Sequence, residues 1–356
     1  MGHNALTLIC TFAILAVIPA MSVQYREFLD RTGLRASVAL TTAISAGSLL
    51  IWLLISFFVP GVLASPLEFP TAALAAVGGF LASLTVRDTT SHPIPAALFS
   101  WIWTAFVFAP VAILVLFPTS VGVPVTAGPL DLGGALPVQV AVGTGGLIVL
   151  TLARGWAVED RSHVRPRSWL LLACGVVIWT GWLLGFVGLE LSLDPVVTPR
   201  IILNSIIAPL CGIVGWLIVQ RILTATTTAM GAVSGLFCGI VAISAGSAWF
   251  IPLWAGVTGM LAGILTALFV TRRVRATGRH AWFIVGVHAV SAAIGLVMVG
   301  VFAGSFGLVY DGQPTLLATQ VVSIAIVVAW SGVISLLLWF GVRAVALRRL
   351  RRAAPI

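Results

Sequence analysis

The sequence predicts an all-α protein that crosses a membrane many times. Of its 356 residues, 60% are hydrophobic and only 8% are charged, and the mean hydropathy is +1.14. Soluble domains carry about 25% charged residues, so this composition excludes a soluble globular chain. A second observation is that the apolar residues fall into eleven long stretches separated by short polar loops. A third is that the arginines are concentrated in alternate loops along the chain.

Each apolar stretch is long enough for a spanning helix, which needs about 20 predominantly apolar residues. The first stretch lacks the basic leader of a cleaved signal peptide, so we expect it to remain as the first helix. We expect one membrane domain over residues 1–347 and a short basic cytoplasmic tail over residues 348–356. The eleven windows are centred on residues 4–23, 37–60, 70–86, 95–117, 133–153, 168–189, 199–223, 226–247, 250–271, 280–303 and 316–346.

Arginine placement predicts the orientation of these helices, because short loops rich in lysine or arginine stay in the cytoplasm. The chain has 19 basic residues, all of them arginine, and only Arg200 lies outside the alternating set. The other eighteen are Arg26, Arg31, Arg35, Arg87, Arg154, Arg161, Arg165, Arg167, Arg221, Arg272, Arg273, Arg275, Arg279, Arg343, Arg348, Arg349, Arg351 and Arg352. We therefore predict an external N terminus and a cytoplasmic C terminus. The isoelectric point near 11.1 then reflects topology. Nucleic-acid binding would need basic side chains gathered on one soluble face.

The loops on the opposite side are acidic. A negative surface there can concentrate cations at an outer vestibule. The same charge also arises if the topology rule merely removes arginine from that side, so both interpretations stay open. The charged residues of these loops are Glu68, Asp131, Glu190, Asp194, Asp311 and Arg200.

His288 is the ionisable side chain that the sequence places deepest in an apolar stretch, AWFIVGVHAVSAAIGLVMVGVFA, residues 281–303. A buried ionisable group within a membrane is a candidate functional residue. Burial disfavours the charged imidazole, so we expect a neutral side chain that can donate or accept a hydrogen bond. The alternative is a hydrogen-bonded histidine that only holds helices together.

The four cysteines predict neither a disulfide framework nor a metal site. Each lies singly in a hydrophobic stretch, and the chain contains no CxxC pair or Cys/His cluster. We expect no cofactor and no catalytic group. The cysteines are Cys10, Cys174, Cys211 and Cys238.

Glycine is abundant, with 36 residues, and it clusters with other small residues at helical spacing. Such patterns let membrane helices approach closely. The segment GAVSGLFCGIVAISAG, residues 231–246, is the clearest example, and it predicts tight helix packing at Gly231, Ser234, Gly235 and Gly239.

Several segments, in chain order, resemble motifs of the ammonium transporter/Rhesus (Amt/Rh) family. Residues 285–303 (VGVHAVSAAIGLVMVGVFA) resemble its tenth-helix motif, and residues 231–246 resemble its eighth-helix signature. The remaining matches are DLGG at 131–134 with PVQ at 137–139 (fifth helix), Gly181-Trp182 (sixth), Asn204-Ser205 (seventh), and Phe69 with Gly79 (third).

The resemblance implies a homotrimer with one narrow hydrophobic pore per subunit, built from two inverted five-helix halves and a long final helix. It places Gln139 and His288 in the pore, mid-helix at corresponding positions of the two halves. It further implies an outer gate and vestibule with Phe69, Phe117 and Asp131, and an inner gate at Leu203 or the neighbouring Ile202.

The chain also departs from the family pattern. The first of two pore histidines is replaced by Gln139, which can hydrogen-bond to an imidazole but cannot titrate near neutral pH. The aspartate before the second histidine corresponds to Phe283, the sixth-helix asparagine to Phe186, and the outer tryptophan to the region of Leu116 and Phe117. For Gln139, a role as a polar link between helices is the alternative to a pore role.

Three functions are compatible with these residues. The first is a channel or transporter for ammonium, ammonia or a similarly small solute in the cytoplasmic membrane. The second is a non-conducting trimer that serves as a sensor or assembly scaffold. The third, an intramembrane enzyme, lacks a second catalytic group at a useful distance from His288. We expect membrane lipids as partners of the basic tail, no nucleic acid, and no coupling to PII signalling proteins because the tail is short.

Overall fold

The structure is a computed structural model that describes residues 3–29, 33–90, 93–124, 128–153 and 167–353. Within these ranges the chain is entirely helical, with no β-strand. Most of the predicted cytoplasmic loop at 154–167 lies outside them, as do Arg31 and residues 354–356 of the predicted tail. The helices are α1 (His3–Leu29), α2 (Leu34–Phe57), α3 (Pro60–Leu63), α4 (Glu68–Arg87), α5 (Pro93–Trp103), α6 (Ala109–Leu116), α7 (Ala141–Leu152), α8 (Ser168–Leu189), α9 (Val197–Thr224), α10 (Ala229–Ile243), α11 (Pro252–Thr277), α12 (Trp282–Val285), α13 (Ser291–Phe302), α14 (Leu308–Asp311) and α15 (Thr315–Ala353).

Three of the long helices contain a π-helical segment. The first π segment (Thr104–Phe108) joins α5 to α6, the second (Ala135–Val140) begins the helix that continues as α7, and the third (Gly286–Val290) joins α12 to α13. Pro110 follows the first π segment and Pro137 lies in the second. Proline has no backbone N–H, so it interrupts the regular α-helical hydrogen-bond ladder. Single π turns of this kind occur frequently at functional sites.

Within the described ranges, ten helical stretches are long and apolar enough to cross a membrane, so the chain is a multi-pass membrane protein. The eighth predicted window contains α10, which has only 15 residues. A helix of that length spans about 22 Å, less than the hydrocarbon core of about 30 Å. Twelve of its residues are buried by neighbouring helices. Residues 244–248 and Phe250, in the irregular turns that follow Ile243, are buried as well, as membrane-embedded non-helical backbone requires.

Small residues hold α10 against α9. A Cβ atom added to Gly235 would collide with the backbone of Gly212, and one added to Gly239 would collide with the backbone of Ala208. The helices are thus in backbone contact at both positions. Ser234 is buried and bonds back to the Met230 carbonyl at 2.7 Å.

Gly231, the remaining glycine predicted to pack tightly, and two glycines of α11 also lie at close contacts between helices. A Cβ on Gly231 would meet the side-chain oxygen of Gln220. Cβ atoms added to Gly259 and Gly263 of α11 would meet the same two carbonyls of α9, those of Ala208 and Gly212. Consequently α10 and α11 both pack directly on the backbone of α9, and they also contact each other.

Candidate functional site

A small cavity lies near the middle of the helix bundle, between α1, α4, α8, α10 and the second and third π segments. It offers about 20 Å³ to the centre of a water-sized molecule, which is room for about one such molecule. Most of its wall is apolar. The lining residues are Met21, Tyr25, Leu81, Gln139, Ile178, Trp182, Phe237, Ile240, Val241 and His288.

His288 is hydrogen-bonded through both ring nitrogens. Its Nδ1 lies 2.5 Å from Gln139 Oε1, and its Nε2 lies 3.1 Å from Tyr25 Oη. A carboxamide oxygen can only accept, so Nδ1 carries the proton of the neutral ring, and Nε2 accepts from the tyrosine hydroxyl. All three side chains are at least 97% buried. The imidazole is therefore held in one tautomer and one orientation, as a second partner on a histidine ring ordinarily ensures.

Glycine brings Gln139 and His288 within bonding distance. Gly143 follows Gln139 by about one helical turn, and a Cβ atom there would collide with the backbone nitrogen of Ala289. Ala289 directly follows His288 in the third π segment. The first turn of α7 is thus in backbone contact with the third π segment beside the cavity, and Gln139 and His288 meet across it.

The start of the second π segment is fixed by Asp131. Its two carboxylate oxygens accept hydrogen bonds from the backbone N–H groups of Ala135 and Leu136, both at 2.7 Å. Gly134 precedes the segment with φ +73°, a left-handed conformation that favours glycine. Burial raises the pKa of Asp131 to about 6, although these backbone hydrogen bonds oppose the shift.

Tyr25 is the site residue that the sequence reasoning missed. Tyr25 lies near the end of α1, just after the first predicted window of residues 4–23. Its ring packs edge-on against that of Phe80, with the ring centroids 5.9 Å apart. The available signal was its rarity, since the chain has only two tyrosines. A buried tyrosine hydroxyl usually finds a hydrogen-bond partner, but the sequence could not identify that partner as His288, 263 residues away.

The residues predicted for the outer and inner gates do not line the cavity. Phe69 is 53% exposed in the first turn of α4, and Leu203 is 44% exposed on α9. Phe117 is buried against Trp52, with ring centroids 5.8 Å apart. Ile202 is likewise partly exposed.

Phe283 and Phe186, where the family resemblance predicts polar residues, are both buried beside the site. Phe283 lies one turn before His288 and packs on the Tyr25 ring at 6.3 Å. Phe186 packs against Trp182 at 5.7 Å, and Trp182 lines the cavity. Both replacements make the surroundings of the cavity more apolar.

Comparison with known proteins gives a consistent result. The sequence profile of the Ammonium Transporter Family matches residues 91–353. The ammonium transporter of Mycobacterium tuberculosis (strain H37Rv) is 30% identical over 263 residues, which cover 68% of this chain and 54% of that protein. Amt1 of Archaeoglobus fulgidus is 26% identical over 369 residues, covering 95% of this chain and 91% of the relative. The chain thus spans about half the length of the mycobacterial relatives and nearly all of Amt1.

The fold is also shared with solved structures. The crystal structure of Saccharomyces cerevisiae Mep2 matches with a TM-score of 0.79 at 17% identity, covering 95% of this chain and 87% of Mep2. The profile match extends over well over half of the chain, and it includes both π segments that carry Gln139 and His288. This chain is a member of the ammonium transporter family.

Proposed function

We propose that the chain forms a narrow channel that moves ammonia across the cytoplasmic membrane, with Gln139 and His288 lining the path. The observation that carries this proposal is the cavity itself. It is large enough for about one water-sized molecule, and its polar groups are concentrated at the hydrogen-bonded cluster of Gln139, His288 and Tyr25. A polar cluster in an apolar channel lowers the cost of desolvating a small neutral solute.

The chemistry of the wall favours neutral ammonia over the ammonium ion. The ten lining residues include no carboxylate, arginine or lysine. An ammonium ion would lose its hydration without gaining a compensating charge, at a cost of many kcal/mol. Ammonia can accept or donate single hydrogen bonds at the amide of Gln139. Ammonium therefore leaves its proton on the outer side, where acidic loops can concentrate the cation.

We further infer that the chain crosses the membrane eleven times, with α10 and the turns that follow it counted as one crossing. Asn204, near the start of α9, donates to the carbonyls of Ser247 and Phe250 at 2.9 and 2.7 Å. At the other end of α9, the Leu223 carbonyl accepts from Arg275 at 3.1 Å. These two levels are about 28 Å apart along α9, which is close to the thickness of the hydrocarbon core.

These contacts mean that α9 and α11 run in the same direction and end together. The chain between them must return over the same distance, and α10 is the helix that does so. Although α10 alone is short, α10 and residues 244–250 together span the same distance across the membrane as α9. This arrangement supports the external N terminus and cytoplasmic C terminus indicated by the arginines.

Contacts between helix ends gather the arginines on one face. Arg87 at the end of α4 bonds Ser37 of α2 at 3.2 Å, and Arg279 after α11 bonds the Ala153 carbonyl after α7 at 2.9 Å. Together with the bond from Arg275 to α9, these contacts join the ends of five helices, α2 with α4 and both α7 and α9 with α11, which supports the cytoplasmic side that we infer for them. The short C-terminal tail continues α15 from this same face, where anionic lipid would meet it.

We also infer a homotrimer. Adjacent helices α8 and α9 expose large apolar side chains, such as Val176, Leu184, Leu210 and Ile218, which lipid or a second copy would cover. Mass measurement of the protein in mild detergent and in nanodiscs should give three subunits. A monomer in both would refute the trimer.

The test of conduction is an ammonium pulse applied to proteoliposomes, with internal pH and membrane current recorded together. We expect rapid internal alkalinisation without current, because neutral ammonia enters and the proton stays outside. Gln139→His should add current, because two adjacent imidazoles can pass a proton along the pore, whereas an amide cannot.

The control for this substitution is Gln320→His, which changes another buried glutamine outside the cavity. It should leave the transport mode unchanged. A robust ammonium current in the unmodified protein, abolished by His288→Ala, would contradict electroneutral passage. Neither alkalinisation nor current in the unmodified protein would favour the non-conducting sensor or scaffold instead.

A further inference from the structure

Trp330 and Ser331 are consecutive residues of α15 that donate hydrogen bonds to two different helices. The indole N–H of Trp330 donates to the Phe106 carbonyl at 2.8 Å, and the Ser331 hydroxyl donates to the Ala141 carbonyl at 2.7 Å. Phe106 lies in the first π segment, and Ala141 directly follows the second. Both donors lie near the middle of Thr315–Ala344, the part of α15 that is apolar enough to span a membrane.

The bond from Trp330 replaces a missing backbone donor. In a regular α-helix, the carbonyl of Phe106 would accept from the N–H of the residue four positions later. That residue is Pro110, which has no N–H. A backbone carbonyl within a membrane needs a partner, and neighbouring helices supply one near proline. The contact of Trp330 is therefore explained by the proline alone.

The bond from Ser331 has no such explanation. Four positions after Ala141 comes Gly145, which has an N–H and lies in the same helix, α7. A serine hydroxyl in a helix can also bond to a carbonyl of its own helix, as Ser234 does with Met230. Ser331, which is fully buried, reaches a neighbouring helix instead. Neither group needs this bond to be satisfied, so the bond serves to fix the position of α7 relative to α15.

The α7 helix lies between α15 and the third π segment. A Cβ atom added to Gly145 would lie 2.9 Å from the Ser335 hydroxyl of α15. A Cβ atom added to Gly143 would collide with the backbone of Ala289 in the third π segment. Each residue turns a helix by about 100°, so residues two positions apart face nearly opposite ways. The two glycines thus mark the two faces of α7.

Ala141 and Gln139 are also two positions apart, and they contact the same two neighbours. The Ala141 carbonyl accepts from Ser331 on the α15 side, and the Gln139 amide bonds to His288 on the other side. The Ser331 bond therefore restricts sliding and rotation of this helix against α15. Either movement would carry the amide oxygen of Gln139 away from the imidazole.

We propose that Ser331 is a positioning residue, whose hydrogen bond to Ala141 keeps Gln139 within bonding distance of His288. The backbone contact at Gly143 limits movement of the helix toward the imidazole, and the Ser331 bond limits sliding and rotation. The effect on transport rests on the proposed channel function, in which this pair lines the path. The effect on the hydrogen bond of the pair does not depend on transport.

The test is Ser331→Ala in the full chain in lipid, with two measurements. The first is the ¹H resonance of His288 Nδ1–H in histidine-labelled protein, assigned by its loss in His288→Ala. A weaker bond to Gln139 should move this resonance upfield. The second is ammonia permeability after an ammonium pulse, which should fall about threefold to tenfold, the effect of losing roughly one hydrogen bond. An Nδ1–H resonance at its wild-type position would overturn the proposal.

Two controls separate positioning from a general loss of packing. Ser335→Ala removes another fully buried hydroxyl one turn later on α15, which has no hydrogen-bond partner among the described residues. It should change neither measurement. Trp330→Phe removes the donor to Phe106 and should lower the unfolding midpoint, while the His288 resonance stays in place. Equal shifts of that resonance in all three variants would refute a specific role for Ser331.

Two further variants keep the proposal testable in every case. Ser331→Thr retains the hydroxyl and should retain the wild-type resonance. Ser331→Cys has a similar size but a weak donor, so it serves as the test if Ser331→Ala fails to fold. If the unmodified protein does not conduct ammonia, the resonance still decides the role of Ser331. A shifted resonance with unchanged permeability would support positioning and contradict the pore role of the Gln139 and His288 pair.

Discussion

The second and third π segments have the same backbone conformation but carry different polar side chains. Each places one polar side chain, Gln139 or His288, at the wall of one cavity. The second segment is fixed from outside by the Asp131 carboxylate, which caps its first N–H groups. No carboxylate caps the third segment in the described chain, and its histidine is held instead by the Tyr25 hydroxyl.

This difference divides the site into two halves. On the Asp131 side, the polar groups are a carboxylate and an amide; on the other side, they are an imidazole and a phenol. The backbone arrangement is therefore repeated while the side chains are not, so each half can be altered separately. Substitutions in the two halves should have different consequences for stability and for transport.

The largest effect on stability should come from Asp131→Asn. The asparagine can accept only at its oxygen, so one backbone N–H at the start of the second π segment faces an NH₂ group and loses its charged acceptor. Removing charge-assisted bonds of this kind costs about 3 kcal/mol. Thermal unfolding in detergent should show a clear decrease in midpoint. The matched control is Asp194→Asn, which removes a similar carboxylate cap from Val196 and Val197 at the exposed start of α9 and should cost less.

Asp131 and Asp194 should also differ in how their contributions to stability depend on pH. Burial raises the pKa of Asp131 to about 6 from 3.8, so the folded protein retains a proton there that the unfolded chain releases. The part of its contribution to stability that comes from this retained proton is present below about pH 4 and is lost as the pH rises through about 6, whereas the hydrogen bonds of the carboxylate remain. Hydrogen bonds from Val197 and Val196 lower the pKa of Asp194, so its contribution is instead lost at acid pH. A difference between wild type and Asp131→Asn that is constant over pH 4–7 would contradict the first assignment.

An intermediate effect is expected from Gly143→Ala, which tests the contact between α7 and the third π segment. The added methyl would press on the backbone of Ala289 and move the third segment away from Gln139. Overpacking of this kind costs about 1–3 kcal/mol. Ammonia permeability should change along with the unfolding midpoint. Gly341→Ala has open space around its position and is the neutral control. Equal behaviour of the two variants would show that the contact between α7 and the third π segment is loose.

The smallest effect should come from Tyr25→Phe. It removes the hydroxyl that donates to His288 Nε2 and keeps the ring that packs on Phe80 and Phe283. We expect a loss of about 1 kcal/mol in stability, typical of one hydrogen bond. The histidine ring would also be free to exchange tautomers, which the ¹⁵N chemical shifts of its nitrogens would report. A shift pattern unchanged from that of the unmodified protein would show that Gln139 alone orients the ring.

Hydrophobic length and small-residue patterns were sufficient to predict the helices, because both are local properties. Membrane-spanning helices need long apolar runs, and such runs are visible in the sequence. Nearly every predicted window therefore corresponds to a long helix whose ends lie within a few residues of the predicted bounds. The eighth window produced a helix of only 15 residues, α10. The tight packing of Gly235 and Gly239 followed from their spacing in the sequence. Their partners on α9 could not be predicted, because each requires knowing which helices become neighbours.

The amino-acid sequence was enough to predict an α-helical membrane protein, its resemblance to the ammonium transporters, and two polar residues of interest, His288 and Gln139, in apolar helices. Tertiary structure alone decided that these two side chains bond to each other, that Tyr25 supplies the third member, and that Phe69 and Leu203 lie away from the cavity. The physical reason is that apolar length is encoded within each segment, whereas a buried hydrogen bond depends on the relative positions of residues that are far apart in the chain. Here that separation is 149 residues for Gln139 and His288, and 263 for Tyr25 and His288.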